Sequence, residues 1–308
     1  MLTLDKSTEI FFLVDEYCNH FNKHIDECVI KLSSDSQLKT RNKPCGLSDS
    51  EVITILICFH LSDYRTLKHF YLDYVCVHLC KEFPALVSYN RFVELQQKYA
   101  LPMLMFVSAH SLGECTGISF IDSTRLEVCA KERIHQNKVF AGAATRGYST
   151  MGWFYGFKLH LVINDMGEII AFQLTQGSVS DNNTNLLLTL CKQLFGKLYG
   201  DKGYLVKQAV FEQLFHSGVQ LITKIKRNMK NKLMSIFDKL MLRKRSVVEC
   251  VNDALKNICQ IEHSRHRSIS GFIINLYGGI AAYNFLPKKP SIKSHFEFDN
   301  SKSLQLSL

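Results

Sequence analysis

The chain has 308 residues, of which 46% are hydrophobic, and it carries a formal net charge of +9. This length and this apolar content suffice to bury a full core and predict two domains. Eleven cysteines without any CxxC pair argue against a disulfide framework and indicate a reducing cytoplasm.

We expect no targeting or membrane signal in the first residues given. The stretch MLTLDKSTEIFFLVDEY carries acidic residues within its apolar part, which is not the pattern of a signal peptide. The apolar run from Ile53 to Leu61 is too short to cross a bilayer. We therefore expect a cytoplasmic protein with no membrane partner.

Residues 1–112 are predicted to form an all-helical domain. Ser48 and Glu51 have the spacing of a capping box before the apolar run that ends at Leu61. Further helices are predicted over Tyr64–Cys80, Tyr89–Tyr99 and Pro102–Ser111, with a break at Pro84. The composition of the segment 88–99 is typical of a DNA recognition helix and equally of an ordinary amphipathic helix, so DNA binding by this domain stays open.

From Gly113 onwards the pattern changes to short apolar strands that alternate with helices. The predicted elements are a strand at 117–122, a hairpin of strands 157–164 and 169–177, a helix at 181–194, a strand at 197–201, a helix at 205–216, a strand at 219–226 and helices to Tyr283. This order predicts the α/β class, with a mixed sheet and flanking helices over residues 113–286. Residues 287–308 contain Lys, Pro and Ser and are expected to be a C-terminal tail, extended on the surface or disordered.

The positive charge is concentrated in one region. From Val219 to Ser268 there are twelve Lys or Arg residues against four Asp or Glu residues. Such a concentration favours a polyanion such as nucleic acid as the partner, and a solvated basic face is the alternative.

Two predicted strands end on a carboxylate. Asp122 ends the first predicted strand and Asp201 ends the fourth, within the segment LYGDKGYLV. If these strands are parallel neighbours, both side chains lie at one edge of the sheet, where open α/β sheets keep their sites. Like charges a few ångströms apart repel each other, and a divalent cation such as Mg²⁺ relieves the repulsion. A turn-forming or capping role is the alternative for each Asp taken alone.

A third carboxylate is expected from the segment RSVVECVNDALKNI. Arg245, Glu249 and Lys256 are spaced i, i+4 and i+11, which places them on one face of a helix whose other side is apolar. An exposed Arg–Glu pair on a solvated helix is the alternative. The carboxylates that compete with Glu249 for this role are Glu127, Glu262 and Asp253.

Six features, in this order along the chain, resemble the DDE-type transposases of bacterial insertion sequences. They are FIDST (120–124), GWFYGFKLHLVIN (152–164), VSDNN (179–183), YGDKGY (199–204), the R-x3-E-x6-K spacing of Arg245, Glu249 and Lys256, and HSRHRS (263–268). The likeness covers roughly residues 113–285, and its specificity lies in the ordered set. One position departs, because the family often has Tyr three residues before the Arg, where this chain has Leu242.

This resemblance implies an RNase H-like mixed sheet with flanking helices, preceded by the all-α N-terminal domain. It implies that Asp122, Asp201 and Glu249 are the catalytic residues and hold two Mg²⁺ ions, for which Mn²⁺ can substitute. The implied reaction is cleavage of double-stranded DNA at the ends of an insertion element and strand transfer to target DNA, by a homodimer or larger assembly. The alternatives are a metal-dependent nuclease of the same fold that cuts without joining, and a non-catalytic DNA-binding protein derived from a transposase.

The resemblance and the basic charge together predict the DNA contacts. Arg245 and Lys256 are expected to contact phosphate near the cleaved bond. The other predicted contacts lie in the segments KIKRNMKNK and HSRHRS: Lys224, Lys226, Arg227, Lys230, Lys232, His263, Arg265 and Arg267. For HSRHRS, helix capping and solvent exposure remain alternatives. Trp153 is expected either to stack on an unpaired base or to pack at the start of a strand.

Overall fold

The computed structural model describes residues 2–32, 46–149, 152–224, 234–262 and 266–292, with the backbone alone for 24–32. Six predicted DNA contacts lie outside the described residues: Lys226, Arg227, Lys230, Lys232, His263 and Arg265. Of the predicted C-terminal tail, residues 287–292 are described.

The described residues before Leu112 form helices and contain no strand. The α-helices are α1 at Leu4–Leu32, α2 at Asp49–Leu61, α3 at Leu67–His69, α4 at Cys76–His78, α5 at Tyr89–Gln96 and α6 at Ala100–Phe106. A π-helical segment, Phe70–Val75, joins α3 to α4, a 3₁₀ turn, Gln97–Tyr99, joins α5 to α6, and a π-helical segment, Val107–Ser111, follows α6.

The predicted capping box at the start of α2 is confirmed. The Ser48 hydroxyl accepts a hydrogen bond from the Glu51 backbone N–H at 3.1 Å, and the Glu51 carboxylate accepts one from the Ser48 N–H at 2.7 Å. Helix α2 is buried at Ser50 and from Val52 to His60, which makes it the central helix of its layer. The predicted break at Pro84 is also confirmed, since Pro84 lies in the turns between α4 and α5.

Six strands of the described residues form one mixed sheet. They are β1 at Ile118–Glu127, β2 at Thr145–Ser149, β3 at Gly152–Asn164, β4 at Ile169–Gln176, β5 at Gly196–Gly200 and β6 at Val219–Thr223. Strand β3 pairs antiparallel with β1 along one edge, and with β2 and then β4 along the other. Strand β5 is parallel to β1 and β6 is parallel to β5, so the antiparallel and parallel halves of the sheet meet at β1.

Strand β1 is longer than the sequence predicts. It continues past Asp122 to Glu127, so the prediction that Asp122 ends the strand is wrong. The parallel pairing with β5 stops at Phe120, whereas the antiparallel pairing with β3 continues to Glu127. Because β3 keeps β1 extended where β5 has already ended, Asp122 lies at the fork between the two neighbours.

The predicted hairpin between β3 and β4 is confirmed. The Asn164 side-chain oxygen accepts two backbone N–H groups of the turn, at 3.1 and 2.9 Å. Gly167 has a φ of 76°, and a Cβ at this position would collide with the carbonyl oxygen of Pro290. The described part of the tail thus packs on this turn, where the Ile292 N–H donates to the Asp165 carbonyl at 2.9 Å.

Helices cover both faces of the sheet. Their bounds are α7 at Thr184–Leu190, α8 at Gln208–His216, α9 at Ile236–Lys244, α10 at Ser246–Asp253 and α11 at Ile269–Asn284, with a π-helical segment, Ala254–Ile258, directly after α10. Helices α7 and α8 pack on the face that carries Ile121 and Val162. The opposite face carries Phe120 and Leu161 and packs on α9–α11, as strand alternation requires.

The N-terminal helices share their core with the C-terminal part of the chain. One apolar cluster runs from Ile10 in α1 to Phe285 after α11, and α11 packs directly on α2 and α6. His60 of α2 adds a polar link, since its Nδ1 lies 2.6 Å from the carbonyl oxygen of Cys259. None of the helices in the described ranges has the length and apolar character that a membrane span requires.

Candidate active site

Asp122 lies on the face of β1 that packs against α10. Its side chain is 18% exposed. The pKa of Asp122 is raised from 3.8 to about 6, chiefly by burial; Arg245 lowers it, and the charges of Asp201 and Glu249 raise it. The protein therefore leaves this carboxylate incompletely compensated, with two other carboxylates near enough to act on it.

Asp201 follows β5 directly and caps the 3₁₀ turn Lys202–Tyr204. Its Oδ1 accepts a hydrogen bond from the Gly203 N–H at 2.7 Å. The turn-forming role that the sequence left as an alternative is thus present together with the proximity to Asp122. A Cβ at Gly203 would lie 2.9 Å from Asp201 Oδ1 and 3.4 Å from Asp181 Oδ2, so the missing side chain leaves room for two carboxylates.

Arg245 joins two of the predicted site carboxylates. It lies at the junction of α9 and α10, where its Nη1 is 3.3 Å from Asp122 Oδ1 and its Nη2 is 2.7 Å from Glu249 Oε1. The arginine side chain is 15% exposed and the Glu249 side chain 56% exposed. The predicted i, i+4 pair therefore forms, and it faces the sheet at Asp122 instead of standing alone in solvent.

Asn252 is a site residue that the sequence analysis missed. Its Nδ2 donates to Asp122 Oδ2 at 3.2 Å, while its Oδ1 is buried without a hydrogen-bond partner among the described residues. Buried amide oxygens are rarely left unpaired. The position was recognisable in principle, because Asn252 follows Glu249 at i+3 and shares its helical face.

Asp181 is a second missed residue, on the opposite face of β1. Its Oδ1 accepts from the Ser123 hydroxyl at 3.0 Å and from Lys158 Nζ at 3.1 Å. Lys158 also donates to the carbonyl of Val179 at 2.9 Å. The VSDNN segment thus brings a carboxylate behind the site, where a lysine and a hydroxyl already satisfy it.

Tyr204 lies between these two groups of carboxylates. Its ring is almost fully buried. Burial first, then the charges of Asp181 and Asp122, raise the pKa of Tyr204 well above its ordinary value, so the phenol stays neutral. The last residue of the YGDKGY motif therefore fills the core beneath the site.

The three competing carboxylates lie elsewhere. Glu262 accepts from the Glu127 backbone N–H at 3.2 Å and pairs with Lys256 at 2.9 Å, near the far end of β1. Asp253 is exposed and accepts from Asn257 at 2.5 Å. The geometry thus favours Glu249 over these competitors as the carboxylate beside Asp122.

Lys256 is engaged by protein groups. Its Nζ donates to the carbonyl of Arg125 at 2.6 Å and pairs with Glu262. The helix after α10 widens into a π segment, closed by the Cys259 N–H on the Ala254 carbonyl at 2.9 Å. Within this wider segment Ile258 is 53% exposed.

Of the other predicted DNA contacts, two are described. Lys224 is exposed just after β6, and Arg267 is exposed just before α11. Trp153 is 59% exposed at the start of β3 and makes an edge-to-face contact with Tyr148, with ring centroids 5.3 Å apart. It therefore lies on the surface, paired with another aromatic ring.

The donor chemistry of this site fits a hard divalent cation. Asp122, Asp201 and Glu249 offer only oxygen atoms, which Mg²⁺ prefers. The unpaired Oδ1 of Asn252 and the raised pKa of Asp122 both indicate a deficit of positive charge or of donors. Within the described residues no three His, Cys, Asp or Glu side chains stand close enough together to enclose an ion, and Arg245 holds two of the carboxylates.

A family model described as a transposase DDE domain matches residues 112–269. This range begins just before β1, contains all six strands and α10, and ends at the first residue of α11. No curated protein matches the chain.

Proposed function

The chain belongs to the transposase DDE domain family, and from this premise we propose that it cleaves DNA at the ends of an insertion element and joins the freed ends to target DNA. The observation that carries the proposal is the incompletely compensated charge of Asp122, on which the charges of Asp201 and Glu249 both act. A binding protein needs cations against DNA and gains nothing from further carboxylates beside a buried one, since these repel phosphate.

Asp122, Asp201 and Glu249 would hold the metal, as two Mg²⁺ ions or, in their place, Mn²⁺. The bound ions supply an activated oxygen nucleophile and stabilise the leaving oxygen of a phosphodiester. The protein's own residues contribute orientation. The Gly203 N–H fixes one oxygen of Asp201, and the Asn252 amide fixes one oxygen of Asp122, while Arg245 pairs with the other oxygen of Asp122.

Arg245 is the proposed link between DNA binding and metal binding. Its guanidinium pairs with both Asp122 and Glu249. An arginine fork also suits a phosphate group well. We propose that DNA phosphate draws Arg245 away from Glu249, so that the carboxylates become available to metal as the substrate arrives.

The fold supports the same proposal. Antiparallel β3 and β1 are followed by parallel β5 and β6, with helices on both faces, which suits an RNase H-like sheet. We propose residues 113–286 as the catalytic domain, 1–112 as the helical domain and 287–308 as the tail. The partners are double-stranded DNA at the element ends and at the target, and a second copy of this chain, because two ends must be held together.

The test uses the purified full chain and labelled duplexes that end in the inverted repeats flanking its coding region. Mg²⁺-dependent nicking and joining of the label to a plasmid are measured with and without EDTA. Nicking with joining supports the transposase proposal. Nicking without joining supports a nuclease instead, and DNA binding without either activity supports a non-catalytic DNA-binding protein.

A further inference from the structure

A groove lies between the N-terminal helices and the start of α11. It encloses about 740 Å³, and its walls come from α2, the start of α3, α5 and the residues from His266 to Asn275. Its lining includes Arg65, Lys68 and Arg267 and, among the described residues, no Asp or Glu. All three cations are exposed.

These three cations are available to a ligand. No ion pair or hydrogen bond joins their side chains to another group in the described ranges, whereas Arg91, also exposed on α5, is paired with Glu94 at 2.9 Å. Two histidines line the groove as well, but burial lowers the pKa of both His60 and His266 to about 4, so they are uncharged at neutral pH. The charge of the groove is therefore that of the Arg and Lys side chains.

Helix α5 turns an amide-bearing face toward the groove. Asn90, Val93 and Gln96 of α5 line the groove, and so does Gln97, the first residue of the 3₁₀ turn that follows. The opposite side of α5 is anchored in the core by Phe92. Amide side chains hydrogen-bond both to phosphate oxygens and to base edges, so this face suits a nucleic-acid strand.

The groove walls are held rigidly. His60 of α2 contacts the carbonyl of Cys259. A Cβ added to Gly278 of α11 would lie 3.0 Å from the His60 ring, so this glycine lets α2 approach closely. The preformed groove therefore needs little reorganisation to bind a ligand.

Successive contacts lead from the candidate active site to the groove. Asn252 contacts Asp122, Lys256 contacts Arg125, and Glu262 contacts Glu127. Asn275, which lines the groove, then donates to the carbonyl of Ile261 at 3.3 Å. From Asp122 to Glu127 an extended strand covers about 17 Å, which corresponds to about five phosphates of one DNA strand.

We propose that this groove, formed by α2, α3, α5 and the start of α11, binds the phosphate backbone of duplex DNA on one side of the cleavage point. The inference rests on the proposed function for the position of the cleavage point, and on the groove's own charge for the binding. A volume of about 740 Å³ accommodates a short length of one strand and not the whole duplex.

The experiment measures the affinity of the full chain for a mixed-sequence 30-bp duplex between about 50 and 200 mM salt, the range in which phosphate contacts are resolved. Each of Arg65→Ala, Lys68→Ala and Arg267→Ala is expected to flatten the plot of log affinity against log salt by about 0.9, and the triple variant by about 2.7. Lys192→Ala, an exposed cation after α7 on the opposite face of the sheet, is expected to keep the wild-type slope. A wild-type slope in the triple variant overturns the proposal.

A photo-cross-linking amino acid at Gln97 gives an independent measurement. Cross-links to the 30-bp duplex are expected from position 97 and not from position 192, and the reverse result overturns the proposal. Failure of the groove and failure of the proposed function are distinguishable. If the triple variant keeps the wild-type salt slope and still nicks DNA, the groove proposal is wrong and the proposed function stands. If the triple variant has a flatter slope but the wild-type chain never nicks DNA, the groove proposal stands and the proposed function is wrong.

Discussion

The two faces of β1 each present a carboxylate beside a cation, and they differ in how the charge is balanced. On one face Asp122 shares Arg245 with Glu249, and Asp201 adds a third negative charge. On the other face Asp181 has Lys158 to itself together with the Ser123 hydroxyl. The first face has more negative charge than the protein compensates, which indicates an external cation. The second is balanced within the protein, which indicates a structural role.

The variant Glu249→Gln is expected to have the largest effect on activity. It keeps the size of the side chain but removes the charge that a metal requires, so nicking and strand transfer should both fall below detection. Glu212→Gln on α8 is the matched control, because Glu212 is exposed and its carboxylate contacts only Gln208 of the same helix among the described residues. Activity in Glu249→Gln at the level of this control would show that another carboxylate completes the site.

The variant Asn252→Leu should lower the nicking rate by about 10- to 100-fold, the usual cost of losing a group that orients a metal ligand. Its melting temperature should hardly change, because the substitution also removes the buried unpaired Oδ1. A gel assay of nicking beside a thermal melt checks both expectations. A loss of activity accompanied by a clear fall in melting temperature would show that Asn252 acts through packing alone.

The variant Lys158→Met should affect stability more than chemistry. It leaves Asp181 without its ammonium partner in a site where the lysine is 12% exposed, so the free energy of unfolding should fall by about 1–3 kcal/mol. At a temperature where the variant is folded, the nicking rate should stay within about threefold of wild type. Urea unfolding and single-turnover nicking test this, with Lys192→Met as the surface control. Unchanged stability with abolished nicking would move Lys158 into the active site.

The competing carboxylates should have the smallest effects on activity. Glu127→Gln and Glu262→Gln should retain most activity. The Glu262 carboxylate pairs with Lys256 and accepts a backbone N–H, and Glu127 lies at the far end of β1. Asp253→Asn should be intermediate at most, since Asp253 is exposed one turn beyond Glu249 on α10. The measurement is the nicking rate of each of the three variants on one substrate. A complete loss of nicking in any of them would contradict the assignment of Glu249.

The sequence predicted the elements that rest on local chemistry. The Ser48 capping box, the β3–β4 hairpin and the strand that ends at Asp201 all depend on residues within a few positions of each other, and the structure contains each of them. The pairing of Arg245 with Glu249 follows from helical spacing in the same way. Locally determined features of this kind are the ones that pattern and spacing can reach.

The features that the sequence analysis missed depend on tertiary pairing. Strand β2 was missed because its five residues TRGYS carry little apolar pattern and are held by β3. The length of β1 depends on β3 continuing past the end of β5. Asp181 reaches β1 through Ser123, which lies 58 residues away, and no local signal reports such a contact. The π segment that follows α10 likewise has no local sequence pattern that predicts it.

The most direct test of the account compares Asp201→Asn with Asp181→Asn, two aspartates whose carboxylates both approach Gly203. Both variants are first checked for folding. They are then assayed for Mg²⁺-dependent nicking and for binding of the same labelled end duplex. The account predicts that Asp201→Asn binds DNA at least as tightly as wild type and does not nick it, whereas Asp181→Asn nicks at a rate within about tenfold of wild type. Nicking at the wild-type rate by Asp201→Asn, together with its loss in Asp181→Asn, would contradict the central claim that the Asp122 face of β1 holds the catalytic metal.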